Sequence, residues 1–110
     1  MKYSVKITSS ENGYKKIKLP EEILAVEYLL YDMESFRSPV LLSYIEKVLN
    51  KESELEEIGG NICSLEIMKD KTKVINNFVN EGMQVECEIE TIELKALIEL
   101  WIEENKDILN

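Results

Sequence analysis

Three regularly spaced glutamates are the first residues in this chain that could do chemistry. Glu86, Glu88 and Glu90 occupy every second position of the stretch GMQVECEIET, which runs from Gly82 to Thr91. Because side chains alternate between the two faces of a strand, this spacing predicts three carboxylates on one face. Such carboxylates could act as acids and bases in catalysis, ligate a divalent cation or bind a basic partner.

Catalysis is the chemistry that the rest of the sequence supports least. Glu66 could face the three glutamates from a neighbouring strand, but a glycosidase-type reaction needs an apolar pocket and a sugar-binding cleft. A meander in a chain of 110 residues offers little room for that cleft. The chain contains no histidine, so it lacks the usual general base and any Ser-His or Cys-His nucleophile pair. We therefore expect no catalytic residue and no enzyme activity.

Metal and nucleotide binding are disfavoured by spacing. Carboxylates at positions i and i+2 of a strand lie about 6.5 to 7 Å apart, which does not close a coordination cage. No loop has the alternating acidic pattern with a central glycine that binds calcium, and the four glycines form no phosphate-binding turn. The sequence predicts neither a metal site nor a cofactor.

Binding to a basic partner is favoured by the charge of the whole chain. Thirteen basic and 22 acidic residues give a net charge of −9, which repels the phosphates that a nucleic-acid binder must neutralise. Residues 1–20 hold five lysines and one glutamate, whereas residues 21–110 hold eight basic and 21 acidic residues. A second acidic run, KESELEEIGG, lies upstream of the strand. We expect the contact surface to comprise the glutamates of both stretches: Glu52, Glu54, Glu56, Glu57, Glu86, Glu88 and Glu90.

Two structural roles compete with that interface. The glutamates of the strand could pair with the lysines of the first hairpin across the outer face of the sheet, each exposed pair adding about 0.2 to 1 kcal/mol. The run from Glu52 to Glu57 could be an ordinary solvated loop. Five lysines cannot neutralise the net charge of −13 on residues 21–110, so pairing accounts for only part of the acidic surface.

Hydrophobic spacing indicates the strands and helices that would position these glutamates. Alternating apolar residues on both sides of residues 11–13 (ENG) predict a hairpin with a basic outward face. Residues 21–36 fit either a helix or a strand, and we expect a short third strand near residues 26–33. The Ser-Pro pair at residues 38–39 is typical of a helix start and predicts a helix over residues 39–50.

The second half of the chain indicates three strands followed by a helix. The segment after residue 50 is expected to fray into a loop that Gly59-Gly60 closes. Alternating apolar residues predict strands at residues 63–67, 72–78 and 83–89, joined as a meander. Thr91 should cap a final helix whose apolar stripe faces the sheet: Leu94, Leu97, Ile98 and Trp101. The predicted fold is α+β, a single domain over residues 1–110 with an antiparallel sheet of about five to six strands and two main helices packed on one side.

The cysteines and the apolar stretches indicate a cytoplasmic protein. Cys63 and Cys87 share the parity of the apolar strand residues, so we expect buried free thiols rather than a disulfide or metal ligands. The stretch ILAVEYLLY is interrupted by Glu27 and is far shorter than the roughly 18 residues that cross a bilayer. No signal-peptide pattern opens the sequence. We expect no membrane partner.

Two segments, GGNICSLEIMKDKT and CEIETIELKALIELW, resemble a pattern in small bacterial immunity proteins. Those proteins neutralise the toxic domains of polymorphic and contact-dependent growth-inhibition toxins. The matching positions are Gly60, Asn61, Cys63, Leu65, Glu66, Ile67, Asp70, Lys71, Thr72, Cys87, Glu88, Ile89, Glu90, Thr91, Glu93, Leu94, Leu97, Ile98 and Trp101. They cover roughly the C-terminal half and are mostly core or cap positions, so the resemblance implies a fold and supplies no list of binding residues.

The resemblance and the charge lead to the same expectation. Many of these toxins are nucleases with basic clefts, which an acidic inhibitor can reach quickly and fill. We expect an immunity protein that binds and blocks a cognate toxin domain with a basic face, as a monomer or a weak homodimer. Two alternatives stay open: a non-enzymatic adaptor or homodimeric subunit that uses an exposed sheet edge, and an inhibitor that mimics nucleic acid.

Overall fold

The computed structural model describes residues 2–36, 40–60, 62–77 and 84–109, and within them the chain forms two antiparallel sheets and several helices. The smaller sheet is a hairpin of β1 (Lys6–Ser9) and β2 (Lys15–Lys18). The larger sheet contains, in sequence order, β3 (Leu55–Gly59), β4 (Cys63–Met68), β5 (Lys71–Asn76) and β6 (Glu86–Glu90). A 3-10 turn at Glu21–Ile23 precedes the helices, which are α1 (Ala25–Phe36), α2 (Val40–Leu49), α3 (Thr91–Glu104) and α4 (Lys106–Leu109). The predicted α+β class is confirmed, with the strands divided between two sheets.

The larger sheet has one buried face and one open face. Inward side chains such as Leu65, Ile67, Val74 and Ile89 are at most 2% exposed. They pack beneath α1, α2 and α3, which contact the sheet on this side. The predicted meander of three strands is confirmed and gains β3 as a fourth strand at its edge. The predicted continuation of the strands into residues 78–83 lies outside the described residues.

Residues 26–33 lie within α1, so the strand predicted there is wrong. Val26, Leu30 and Met33 are at most 3% exposed, whereas Tyr31 between them is 56% exposed. That pattern is the buried face of a helix, because positions three or four apart lie on the same side. Apolar residues at every second position favoured a strand here. The segment instead covers the larger sheet, which requires the wider apolar face of a helix.

Residues 55–59 form β3, so the loop predicted over this part of the acidic run is wrong. Leu55 pairs with Met68 and Gly59 with Ser64 in an antiparallel register. An edge strand tolerates charged side chains because only part of it is buried, and the glutamates obscured its pattern. The predicted helix over residues 39–50 is confirmed by α2, while its Ser-Pro start lies outside the described residues.

The first hairpin is confirmed and is held against the end of α3. The ring of Tyr14 stacks on Trp101 at a centroid distance of 5.8 Å and an interplanar angle of 12°. Asn105, which is 1% exposed, accepts a hydrogen bond from the Lys15 amide at 2.6 Å through Oδ1. Its Nδ2 donates to the carbonyl of Trp101 at 2.9 Å. The predicted core role of Trp101, which is 2% exposed, is therefore confirmed.

The junction between β6 and α3 differs from the predicted cap. Glu90 holds the N-cap position without a side-chain capping bond, and Thr91 is the first residue of α3. The Thr91 hydroxyl is fully buried, where it donates to the Met68 carbonyl and lies 2.8 Å from Oγ1 of Thr72. Thr91 was predicted as the N-cap, which is wrong because its hydroxyl ties the helix start to the turn between β4 and β5.

Candidate protein-protein interface

The open face of the larger sheet, which we call the outer face, is defined by the outward side chains of β3 to β6. The cross-strand register arranges them in three rows: Leu55, Met68, Lys71 and Glu90; Glu57, Glu66, Lys73 and Glu88; Gly59, Ser64, Ile75 and Glu86. Five carboxylates and two ammonium groups share this face. The sequence-predicted residues Glu57, Glu86, Glu88 and Glu90 are thus brought together on one surface.

The ion pairs on the outer face involve only some of these carboxylates. Lys73 Nζ lies 3.6 Å from Glu86 Oε2, although Lys73 is directly opposite Glu66 and Glu88 in register. No described lysine or arginine lies within 4 Å of the carboxylates of three glutamates of the middle row: Glu57, Glu66 and Glu88. The alternative in which hairpin lysines neutralise this strand is wrong for Glu86, because its partner lies on β5.

Glu90 belongs to a structural cluster at the corner of the face. Its carboxylate pairs with Lys2, accepts a hydrogen bond from Tyr3 Oη at 2.6 Å and lies 3.5 Å from Lys71 Nζ. The hydrogen bonds from Lys2 and Tyr3 lower the pKa of Glu90 from the ordinary 4.5 to about 2. The same hydrogen bond raises the pKa of Tyr3 to about 12. Lys2 belongs to the N-terminal lysines, so the predicted pairing with them holds at this one glutamate.

The acidic run before and within β3 divides into two parts. Glu52 and Glu54 are exposed in the segment that leads to the strand, where Glu54 lines a depression together with Val48 of α2 and Lys69. Glu56 is half-buried and lies on the same side of the sheet as its cross-strand partner Ile67, away from the outer face. The structure therefore does not place all seven predicted glutamates on one surface.

The contact residues predicted from the sequence omit eight of the twelve outer-face residues, and three of these eight could contribute strongly to a contact. Glu66 lies directly opposite Glu57, and Leu55 and Met68 are 43% and 46% exposed at one end of the face. Their placement depends on the register of β3, which the loop prediction for residues 51–60 left undefined. The Gly-Gly pair followed by the next alternating run is a hairpin signal that could have revealed it.

The predicted inward orientation is confirmed for the two cysteines and is wrong for Val85. Cys63 and Cys87 are buried free thiols, as predicted, and burial raises their pKa values to about 12 and about 11. A protonated, buried thiol is a poor nucleophile, which fits a packing role. Val85 precedes β6 and is 54% exposed instead of inward.

The described residues also bear on metal binding and on membrane insertion. No group of three or more Cys, Asp or Glu side chains there is placed to hold a metal ion. No described helix combines the length and apolar character that a bilayer span requires.

These features define a small α+β protein with an open, acidic sheet face. A Bacillus cereus protein named "Immunity protein" is 39% identical to it over 107 residues, which cover 97% of this chain and 92% of the relative. The chain belongs to the family of immunity proteins represented by that relative. No protein-family model matches the chain, and no solved structure matches it.

Proposed function

We propose that this chain binds and blocks a cognate toxin domain with a basic face, as a non-enzymatic inhibitor in the cytoplasm. The proposed contact surface is the outer face together with the exposed Glu52 and Glu54, which precede β3 in the chain. The observation that carries the proposal is the middle row, where Glu57, Glu66 and Glu88 have no ion-pair partner among the described residues. Exposed carboxylates without internal partners attract a basic surface over several ångströms and then pair with its side chains.

A nuclease is the class of toxin that fits this surface best. A nuclease cleft is basic because it holds phosphates, so a row of carboxylates can occupy it in place of the nucleic acid. The resemblance to immunity proteins of polymorphic and contact-dependent growth-inhibition systems, whose toxins are often nucleases, supports the same assignment. Inhibition by occupation needs no cofactor and no catalytic group in this chain.

A monomer is the proposed active form. β3 lies at the edge of the larger sheet, and pairing two copies through this edge would bring their Glu56 and Glu57 side chains together. Like charges placed opposite each other destabilise such a pair of strands. The acidic edge therefore favours a basic partner over a second copy of the chain.

The experiment uses the toxin domain encoded directly upstream of this chain's gene, because an immunity gene is expected to follow the gene of its toxin. The domain is produced alone and with the chain, and bacterial growth and cleavage of DNA and RNA are measured. We expect the chain to restore growth, to abolish cleavage and to form a one-to-one complex. Continued cleavage in the presence of excess chain, or a chain that forms only homodimers, would contradict the proposal.

A further inference from the structure

The outer face contains a shallow depression of about 360 Å³ between β3, β4 and β5. It is lined by Glu57, Ile58, Gly59, Ser64, Leu65, Glu66 and Ile75. Two rows of the face meet there: small or apolar residues form one half, and the opposed pair Glu57 and Glu66 forms the other half. The depression therefore offers an apolar floor beside two carboxylates.

Gly59 leaves an open space in the lining of the depression. A glycine within a strand lowers its stability, so it often marks a place where another group approaches closely. No atom lies within 4 Å of the position that a Cβ would take at Gly59. Its backbone is not among the described glycines with positive φ, so the conformation does not require glycine. The packing of the described residues gives no reason for the missing side chain, and the space above it is open to a partner.

The two carboxylates favour a cation in this position. Glu57 and Glu66 are cross-strand partners, whose Cβ atoms lie about 4.5–5.5 Å apart in such a pair. Their charges repel each other, and the nearest lysine in register, Lys73, directs its ammonium group to Glu86 at 3.6 Å. An incoming cation would remove this repulsion, which an apolar partner group could not do.

Arginine has the shape and chemistry that both halves of the depression require. Its three methylene groups can pack over Ile75 and Gly59 while its charged end stays at the surface. Its planar guanidinium presents several N–H donors in a fixed fork, which suits two neighbouring carboxylates better than the single ammonium of lysine. The charge and the geometry select the same side chain.

We propose that this depression receives an arginine side chain of the bound toxin, packed over Gly59 and Ile75 and paired with Glu57 and Glu66. This inference rests on the proposed function, because it assumes that the toxin binds the outer face. It adds a specific pocket and a specific partner group to the general attraction between an acidic and a basic surface.

Filling the pocket is the direct test. Gly59→Leu should lower the affinity for the toxin domain at least 30-fold and should leave the melting temperature unchanged or raised, because a Cβ at this position meets no other atom and the depression above it is open. Ser9→Leu, which also adds a bulky apolar side chain without changing the charge but at an exposed position of the first hairpin, should change affinity less than threefold. Full affinity in Gly59→Leu would overturn the inference.

Removing the two charges tests the paired carboxylates separately. The double variant Glu57→Gln/Glu66→Gln should raise the melting temperature by about 2 °C, because repulsion within the free protein is lost. The same variant should lower affinity at least 30-fold. A purely structural role would lower the melting temperature and leave binding intact, which would contradict the inference.

A double-mutant cycle identifies the partner group. Each exposed arginine of the toxin domain is replaced by alanine and measured against wild-type chain and Gly59→Leu. Replacing one of these arginines should lower the affinity of the toxin domain for the wild-type chain at least 30-fold. The same replacement should lower its affinity for Gly59→Leu at most threefold. If no arginine is coupled to Gly59 while binding still weakens with salt, the inference fails and the proposed function stands. Failure of the wild-type chain to bind the toxin domain would reject both.

Discussion

Carboxylates in two regions of this molecule have different partners. Beside the first hairpin, Glu34 pairs with Lys16, and Glu27 accepts a hydrogen bond from the Leu19 amide at 2.8 Å. The side chain of Glu34 is only 10% exposed. These carboxylates hold the hairpin against α1, so their charges are used within the fold.

On the outer face the middle row is different. Glu57 and Glu88 are exposed and, within the part of the chain that the structure describes, have no basic side chain within 4 Å. Leaving acidic side chains unpaired, and placing Glu57 opposite Glu66, does not stabilise the folded chain. In these two regions the paired carboxylates hold the fold, with Glu90 at the corner among them, whereas we propose that the unpaired carboxylates of the outer face bind the toxin.

Reversing two unpaired charges should have the largest effect. The double variant Glu57→Lys/Glu88→Lys should cost several kcal/mol of affinity for the toxin domain, because like charges would then meet across the interface. Exposed substitutions usually change stability by no more than about 0.5 kcal/mol, so the melting temperature should stay nearly constant. Binding kinetics and thermal denaturation measure the two quantities.

A matched control changes the same net charge elsewhere. Glu99→Lys/Glu104→Lys alters two exposed glutamates of α3, which packs on the opposite side of the sheet. Its affinity should stay close to that of the wild type. Equal losses of affinity in both double variants would mean that total charge, and not the outer face, determines binding.

The next largest effect should come from a carboxylate that serves only the fold. Asp32 of α1 is fully buried, and its Oδ2 accepts hydrogen bonds from the amides of Ile62 at 2.9 Å and Cys63 at 3.2 Å. Asp32→Ala should lower the free energy of unfolding by about 1–3 kcal/mol, because two amides lose their acceptor. Chemical denaturation measures this loss. The affinity of the folded fraction for the toxin domain should be unchanged. A loss of affinity without a loss of stability would contradict the assignment of Asp32 to the fold.

The smallest effect should be a change in the acid dependence of stability. Because the pKa of Glu90 is lowered from 4.5 to about 2 in the folded chain, its contribution is fully present above pH 4.5. That contribution is lost as the pH falls from 4.5 towards 2. Glu90→Gln should therefore flatten the fall in melting temperature over this range, and Tyr3→Phe should do so in part. An unchanged profile in Glu90→Gln would show that the corner cluster is not structural.

Elements with a clear hydrophobic period were predictable from the sequence, and elements defined by partners were not. The strand at Cys63–Met68 and the helices α2 and α3 follow from local spacing. α1 was misread because Val26 and Leu30 fit both periods, and only the need to cover the sheet decides between them. β3 was missed because its glutamates hide a strand that exists only through pairing with β4.

The same limit applies to the candidate surface. The alternation of Glu86, Glu88 and Glu90 predicted one acidic face, and the structure places them on it. Which of them are free to bind depends on lysines and a tyrosine that come from other segments, as with Tyr3 at Glu90. The depression at Gly59 depends on the register between β3 and β4, and the spacing of residues within one segment does not predict that register.

The most direct test of this account is the rate at which the wild-type chain associates with the toxin domain at two salt concentrations. Salt screens exposed charges over a Debye length of about 10 Å at 0.1 M and about 3 Å at 1 M. Raising salt from about 0.05 to 0.5 M should slow association at least tenfold and change dissociation much less, because unpaired carboxylates steer the encounter. An association rate independent of salt would contradict the central claim that the acidic outer face recognises the toxin.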